Sequence, residues 1–274
     1  MDTLVHYIED SNPIWVALLA GIFTWLVTAL GASVVFFFKK VHRAVLDGML
    51  GFTGGVMVSI SFWGLLLPAW KMSEGMGFEK ALPISIGFVL GALFIFFLDK
   101  MLPHLHINFR EEEKEGIKTP WRRSTLLMLA ITLHNIPEGL AIGVMFGGIG
   151  TGATEATIAG AIILTIGIAV QNFPEGIAIS MPMRRNGASR WRSFNLGQLS
   201  ASVEPLFALL GALAVSFFTP LLPYALGFAA GAMIFVVVEE VIPETQRDKY
   251  TDIATLSFIF GFVLMMVLDL TLGG

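Results

Sequence analysis

Two short segments of this chain are near copies of each other and place potential metal ligands at helical spacing. The first, HNIPEGLAIG, begins at His134, and the second, QNFPEGIAIS, begins at Gln171. Each puts a nitrogen or amide ligand four residues before a glutamate, Glu138 in the first copy and Glu175 in the second. Because residues four apart share one face of a helix, the ligand and the glutamate of each copy should lie together. The repeat therefore predicts one cation-binding site built from two helices.

Other residues in similarly apolar surroundings could extend this site. Asn135 and Asn172 each follow the first ligand of a copy and point about 100° further around the helix, where they could reach a second metal position that shares the glutamates. Glu204 lies in the middle of another apolar segment, GQLSASVEPLFALLG, and could complete the site. Met57, in GGVMVSISFW, could supply a soft sulfur, although a lone methionine in an apolar run more often fills a core.

A proline stands between the two ligands in each copy of the repeat. Pro137 and Pro174 have no N–H to donate and crowd the carbonyls of Leu133 and Val170. Both helices are therefore expected to kink and to free backbone oxygens. Such oxygens are tolerated at membrane depth where they line a cavity or bind a cation, as in many transport sites.

Three glutamates of the predicted site have no predicted partner of opposite charge. Glu138, Glu175 and Glu204 stand in apolar segments, and no lysine or arginine lies at their predicted depth. Charged groups inside a bilayer are costly, so each carboxylate needs a proton, another glutamate that shares a proton, or a bound cation. A divalent ion satisfies several carboxylates at once, and the charge imbalance therefore points to cation transport.

The ligand types narrow the choice of cation. A mixture of histidine, amide and carboxylate groups suits zinc and also iron, manganese or cadmium, whereas carboxylate and carbonyl oxygens alone would suit magnesium or calcium. His134 favours zinc, and the amide of Gln171 would bind more weakly than a thiolate or histidine, which fits a carrier that must release its cargo. The transported ion is the substrate, and no separate cofactor is required.

These segments belong to a strongly apolar chain. Of its 274 residues, 55% are hydrophobic and only 14% are charged, and the mean hydropathy is +0.76. This composition excludes an ordinary soluble domain and indicates an all-α, polytopic membrane protein made of one integral domain, residues 1–274. The absence of cysteine excludes thiolate ligands, and no basic patch argues for nucleic acid. We predict eight membrane-spanning helices, at residues 14–38, 46–70, 82–102, 124–148, 154–182, 192–218, 221–242 and 253–273.

The basic residues predict how these helices are oriented. With eight spans, all but two of the 17 lysines and arginines fall on one side of the membrane, and only Lys71 and Lys80 fall on the other. Because cytoplasmic loops carry the excess of basic residues, the basic side should be cytoplasmic and both termini should face away from the cytoplasm.

A second group of candidate ligands lies toward the cytoplasmic ends of the predicted helices. These acidic residues could form an exit path for the cation, or they could be interfacial residues in contact with water. They are Asp99, Glu239, Glu240 and Glu244. The longest polar segment, residues 103–123, is expected to be a mobile cytoplasmic loop, in which His104 and His106 could collect a departing cation.

Three other classes of membrane protein are alternatives to a metal transporter. An intramembrane metalloprotease would also bury histidine and carboxylates, but the sequence has no His-Glu-x-x-His motif, and His134 is the only histidine at predicted membrane depth. A proton- or sodium-coupled carrier would use the glutamates without a transition metal, although the repeat keeps a metal-type ligand beside each glutamate. A purely structural protein has no reason to retain uncompensated buried acids.

The chain resembles the ZIP family of divalent metal transporters. The resemblance is carried by HNIPEG and QNFPEG, by the pair Glu204-Pro205, and by the segment AAGAMIFVVVEEVIPET. The segment WRSFNLGQLSASVEP and the QNFPEG form are similar to the GufA-type branch in particular. This resemblance implies an eight-helix bundle with inverted repeats that moves zinc and related ions toward the cytoplasm by an elevator-like motion, and it suggests a homodimer.

The resemblance also implies how the ligands divide between two metal positions. The first position would be bound by Met57, His134, Glu138, Gln171 and Glu175. The second would add Asn135, Asn172 and Glu204 to the shared glutamates. Some relatives carry aspartate where this chain has Asn172, so the second position is expected to bind its metal more weakly here.

Overall fold

The computed structural model describes residues 8, 10–73, 77–103, 116–117, 119, 123–152, 156–185, 187–217, 219–247 and 249–272. Within these residues all of the regular structure is helical, which confirms the predicted all-α class. Most of the predicted loop at 103–123, including His104 and His106, lies outside the described residues.

Eight helices in the described part of the chain are long and apolar enough to cross a membrane, as predicted. They are α1 (Pro13–Phe36), α2 (Arg43–Met72), α3 (Phe78–Met101), α4 (Arg123–Ile149), α5 (Ile158–Arg185), α6 (Arg190–Ser216), α7 (Leu222–Thr245) and α8 (Thr251–Leu272). A short 3-10 turn at Thr219–Leu221 separates α6 from α7, at the boundary between the spans predicted at 192–218 and 221–242.

The helices expose apolar side chains and bury small and polar ones. On α1, Leu19, Phe23, Leu26 and Leu30 form an exposed stripe at helical spacing, whereas Thr24 on the same helix is fully buried. An ordinary soluble helix has the opposite arrangement. The exposed apolar stripe suits contact with lipid, and the buried polar face suits contact with other helices.

Five of the described spans, α2, α4, α5, α6 and α7, contain a proline or an interruption near the centre of the bundle. The π-helical segments Ile60–Leu66 in α2 and Val237–Val241 in α7 each lie just before a proline, Pro68 or Pro243. In α6 a 3-10 turn, Ala201–Val203, comes directly before Glu204 and Pro205. A proline cannot donate to the residue four positions earlier, which explains why the hydrogen-bond pattern changes at these points. The helices α4 and α5 continue through Pro137 and Pro174.

The eight helices pack as two groups. Helices α1, α4, α5 and α6 pack closely on one another, and helices α2, α3, α7 and α8 form the other group. Within each group glycines bring backbones into contact: a Cβ added at Gly143 of α4 would lie 2.1 Å from the Ala208 oxygen of α6, and one at Gly55 of α2 would lie 1.9 Å from the Phe258 oxygen of α8. Only a glycine permits such an approach, so each group is tightly joined.

Side chains fill the seam between the two groups. A Cβ added at Gly167 of α5 would meet the Met265 sulfur at 2.6 Å and the Ile60 Cδ1 at 3.0 Å, and one at Gly64 of α2 would meet the Leu164 Cδ1 at 3.4 Å. These atoms end flexible apolar side chains and can shift more easily than backbone. The seam is therefore packed mainly by side chains, whereas close backbone contacts join the helices within each group.

The helix pairings repeat along the chain. The contact between α1 and α5 corresponds to the contact between α6 and α4. In the same way, the contact between α2 and α8 corresponds to the contact between α7 and α3. The two π-helical interruptions fall in α2 and α7, which correspond in this pattern. Because spans five apart cross a membrane in opposite directions, this is the arrangement expected of inverted repeats.

Candidate metal site

The two repeat segments lie at the centre of the bundle, on adjacent helices. Seven of the predicted ligands are buried there, His134, Asn135 and Glu138 on α4, Gln171, Asn172 and Glu175 on α5, and Glu204 on α6. Five of them are fully inaccessible, while His134 and Glu175 are 8% and 6% exposed. The structure therefore brings these seven residues together, away from water.

The two copies of the repeat contact each other reciprocally. The Gln171 Nε2 on α5 donates to the Glu138 Oε1 on α4. In the opposite direction, the Asn135 Nδ2 on α4 donates to the Glu175 Oε1 on α5 at 2.9 Å. Each glutamate of the repeat is thus held by an amide of the other copy, so the four side chains form one group across the α4–α5 contact.

Glu204 joins this group through the second asparagine. The Asn172 Nδ2 donates to both Glu204 oxygens, at 2.9 and 3.0 Å, and the Asn172 Oδ1 accepts from the Gln171 Nε2 at 2.8 Å. Thr24 of α1 donates its hydroxyl to the Glu204 Oε2. Thr24 was not among the predicted site residues, because a hydroxyl residue inside an apolar span is common and unspecific.

Three buried oxygen atoms of the site accept no hydrogen bond. They are the Oε2 of Glu138, the Oε1 of Gln171 and the Oδ1 of Asn135. Leaving a buried acceptor unpaired is costly, and such atoms are rare unless they have another partner. All three atoms are oxygens that can coordinate a hard or borderline metal cation, and their side chains contact one another or their neighbours. The site therefore suits a cation.

No basic side chain balances the three glutamates. In the part of the chain that the structure describes, neither Glu138, Glu175 nor Glu204 forms an ion pair with lysine or arginine. Their contacts are the amides and the Thr24 hydroxyl. The predicted charge imbalance is therefore present at the site.

His134 contacts an acidic residue that is distant in sequence. Its Nδ1 lies 3.1 Å from the Oε2 of Glu240 on α7. The carboxylate oxygens of Asp99, Glu239 and Glu240 lie within 4.8 Å of one another, so Glu240 links His134 to an acidic cluster. Asp99 and Glu240 are 2% and 6% exposed, which does not favour the alternative that these two residues are water-exposed helix ends. The exit path itself stays a prediction.

Arg43 lies at the same end of the bundle as this cluster. Its guanidinium contacts the Asp47 carboxylate at 2.8 Å and the Glu244 carboxylate at 3.7 Å. Both acids are buried, so this arginine supplies a positive charge beside the last residue of the predicted exit path. The i, i+4 spacing of Arg43 and Asp47 was visible in the sequence, but the contact with Glu244 depends on the fold.

A cavity of about 40 Å³ runs beside the site toward the basic end of the bundle. Its lining includes His134 and Glu175 at the site, Thr53 of α2, and Glu240 and Glu244 of α7. This volume holds roughly three water-sized spheres, enough for an ion with part of its hydration shell. Two residues of the predicted site and two of the predicted exit residues, Glu240 and Glu244, therefore line one cavity, among mostly apolar side chains.

Apolar side chains fill the bundle on the other side of the site. Met57 is fully buried in the main hydrophobic core, one turn beyond Thr53 on the same face of α2. Ile60, Leu164 and Ile168 continue this packing toward the opposite end and are also inaccessible. The hydrogen-bonded network does not include Met57, and its role as a ligand stays a prediction.

A separate cavity of about 310 Å³ lies at that opposite end. It is lined by Trp63, Lys71, Met145, Thr157 and Asp269, among others. The order of residues along α2 and α5 puts Ile60 and Leu164 between this cavity and the site. Apolar side chains therefore separate this cavity from the site, whereas the cavity lined by His134, Glu240 and Glu244 lies on the basic side.

Comparison with known proteins identifies the family. A family model described as ZIP Zinc transporter matches residues 109–269. The chain is 41% identical to zinc transporter ZIP11 of Bos taurus over 341 aligned positions, which cover 97% of this chain and 100% of the bovine protein. It is 38% identical to zinc transporter GufA of Myxococcus xanthus over 259 positions, which cover 93% of this chain and 98% of that protein. Zinc transporter ZIPB of Bordetella bronchiseptica is 37% identical over 275 positions, covering 98% and 86% of the two chains.

These matches agree with the resemblance carried by the repeat segments. The family model covers more than half of the chain, and the relatives match nearly all of it. Each relative is named as a transporter and none as an enzyme. The chain, a multi-pass integral membrane protein, therefore belongs to the ZIP zinc transporter family, in its GufA-type branch.

Proposed function

We propose that this protein carries zinc, and with lower preference iron, manganese or cadmium, across a membrane through the buried site on α4, α5 and α6. One observation carries the proposal: Glu138, Glu175 and Glu204 are buried together without a basic partner, beside amide oxygens that accept no hydrogen bond. A divalent cation would neutralise these carboxylates and use those oxygens at the same time.

We infer two metal positions of unequal strength. The first would use His134, Glu138, Gln171 and Glu175, with Met57 on the apolar side. The second would use Asn135, Asn172 and Glu204 together with the shared glutamates. The Asn172 amide donates to both Glu204 oxygens, and a cation at the second position would have to displace these hydrogen bonds. This arrangement supports weak occupancy of the second position.

The proposed direction of transport is toward the cytoplasm, with both termini on the other side. The cavity beside the site leads to the basic end of the bundle, and positive residues favour the cytoplasmic side. The released ion would pass from His134 to Glu240, and then along Asp99, Glu239 and Glu244. His104 and His106 would receive it in the loop that follows α3.

Movement of one helix group past the other would give access from the opposite side. The two glycine-joined groups and the side-chain seam between them support such an elevator-like motion. The family resemblance also suggests a homodimer, which cross-linking in native membranes would test. No cofactor is proposed beyond the transported ion.

Uptake of radioactive zinc into proteoliposomes tests the proposed function. His134→Ala and Glu138→Ala should insert normally and lose at least about tenfold in uptake, because each removes a ligand. Glu79→Gln, an exposed residue at the start of α3, is the matched control and should transport like the wild type. Unchanged uptake in either site variant would exclude the proposed site.

Two further sets of uptake assays distinguish a zinc transporter from the alternative, a proton- or sodium-coupled carrier. Assays at two pH values, each with and without a sodium gradient, should show zinc entering in every condition. A proton- or sodium-coupled carrier without a metal substrate would instead move protons or sodium at full rate when zinc is absent. That result would favour the alternative.

A further inference from the structure

A second large cavity lies at the basic end of the bundle, apart from the cavity beside the proposed metal site. It has a volume of about 490 Å³, within the range of ligand pockets. Its walls come from the connector before α2, from the first turn of α2 and from the end of α5. The metal ligands and the acidic exit residues do not line it.

The rim of this cavity is basic. Lys40, His42, Arg43 and Arg185 line it, and no acidic side chain does so. The charge of Arg43 is shared with Asp47 and Glu244. Lys40 and Arg185 are exposed, so their charges face the cavity mouth from two different segments of the chain. A ligand that enters would meet two cations and a histidine.

The floor of the cavity is apolar. Leu46 and Met181 line it, and both belong to a small hydrophobic cluster that also includes Val35 and Ile177. A basic rim above an apolar floor suits an amphiphile better than a fully polar solute. The charged group would lie at the rim and the apolar part against the floor.

Aromatic residues indicate that this cavity lies at the level of the lipid headgroups. Phe37 and Phe38, in the connector next to Lys40, are 80% and 58% exposed, and Trp191 at the start of α6 is 66% exposed. An exposed tryptophan near basic residues is typical of the interface between membrane and water, and the two phenylalanines lie next to the basic Lys39 and Lys40. The cavity therefore opens where the phosphate groups of a bilayer lie.

We propose that this cavity binds the phosphate-bearing headgroup of an anionic phospholipid, with Lys40 and Arg185 as the main contacts. Basic pockets between membrane helices on the cytoplasmic side are suited to such headgroups. Arg185 and Met181 belong to α5, in one helix group, while Leu46 belongs to α2, in the other. A bound lipid would contact both groups and hold them in the arrangement described here. The proposal does not depend on metal transport.

Lipid retention tests this proposal. The full chain is reconstituted in nanodiscs of phosphatidylcholine with a fixed fraction of phosphatidylglycerol, and native mass spectrometry measures which lipid stays bound after release. The wild type should retain phosphatidylglycerol in preference to phosphatidylcholine. The double variant Lys40→Gln with Arg185→Gln should lower this preference by at least about tenfold, because each basic residue near the surface contributes to binding.

Matched variants distinguish lipid binding at this cavity from attraction of the lipid by the general surface charge. Arg190→Gln removes an exposed basic residue at the start of α6 that does not line the cavity, and it should keep the wild-type preference. Lys40→Arg with Arg185→Lys keeps both charges and should also retain it. The proposal is overturned if the double glutamine variant, with wild-type thermal stability in phosphatidylcholine, keeps the full preference, or if Arg190→Gln loses as much.

A final experiment distinguishes binding of the lipid from binding of free phosphate. Inorganic phosphate is added to the protein in pure phosphatidylcholine, and the thermal unfolding temperature is compared with that in phosphatidylglycerol. The proposal expects stabilisation by the lipid and little by free phosphate, since the floor contacts are then missing. Equal stabilisation by inorganic phosphate would overturn the lipid assignment.

Discussion

The imidazole of His134 on α4 contacts the carboxylate of Glu240 on α7 at 3.1 Å, and this contact joins the two helix groups beside the proposed metal site. Both residues line the cavity beside this site, and Glu240 also belongs to the acidic cluster with Asp99 and Glu239. A ligand of the proposed site and a residue of the proposed exit path are therefore in direct contact.

Glu240→Gln should separate binding from release. The variant keeps the side-chain shape but removes a negative charge from the contact with His134. We expect zinc uptake to fall roughly tenfold, because Glu240 contacts the ligand His134. The purified protein should keep most of its bound zinc, because all of the proposed ligands remain. Parallel measurements of uptake and metal content test this. Normal uptake, or loss of bound zinc as complete as in a site variant, would contradict the proposed role.

Asn172→Asp should strengthen the second metal position. The substitution replaces the N–H donor beside Glu204 with another carboxylate, which disfavours the empty site and favours a divalent cation there. We expect the number of zinc ions bound per chain at a fixed, low concentration of free zinc to rise from about one to about two. Metal analysis after equilibrium dialysis measures this number, with Asn172→Ala as the control that adds no charge. An unchanged number in Asn172→Asp would contradict the two-position account.

Replacing a glycine inside a helix group by alanine should destabilise the protein more than the same replacement at the seam. A Cβ at Gly143 would lie 2.1 Å from the backbone oxygen of Ala208, whereas one at Gly64 would lie 3.4 Å from the end of the Leu164 side chain. We expect Gly143→Ala to destabilise the protein by about 1 to 3 kcal/mol and Gly64→Ala to have little effect. Thermal unfolding in detergent compares the two, and equal stability would contradict the proposed packing.

The proposed orientation can be tested without background labelling, because the chain has no cysteine. Lys39→Cys and Glu79→Cys introduce single thiols at exposed positions on opposite ends of the bundle. In intact cells, a membrane-impermeant maleimide should label only Glu79→Cys, and Lys39→Cys should react after the membrane is opened. The reverse pattern would place the basic side outside the cytoplasm.

The sequence was sufficient to predict the spans and most of the central site. Eight apolar runs separated by polar or glycine-rich segments predicted the helices, and the spacing of His134 and Glu138 predicted a shared helix face. Both features are local, so they depend on helix geometry alone.

Contacts between distant helices could not be predicted in the same way. The packing of the two helix groups determines which face of α7 meets α4. The contact between Glu240 and His134 therefore depends on that packing. The contacts of Thr24 with Glu204 and of Arg43 with Glu244 depend on the same packing. A nearly uniform apolar helix gives little indication of its inward face, because its polar residues are few.

Zinc bound by the purified protein tests the central claim most directly. The double variant Glu138→Gln with Glu175→Gln preserves the size of both side chains and removes two of the three buried negative charges. After equilibration in a zinc buffer and removal of free metal, the wild type and Glu79→Gln should retain zinc, and the double variant should retain almost none. If the double variant binds as much zinc as the wild type, the buried carboxylates are not what holds the ion.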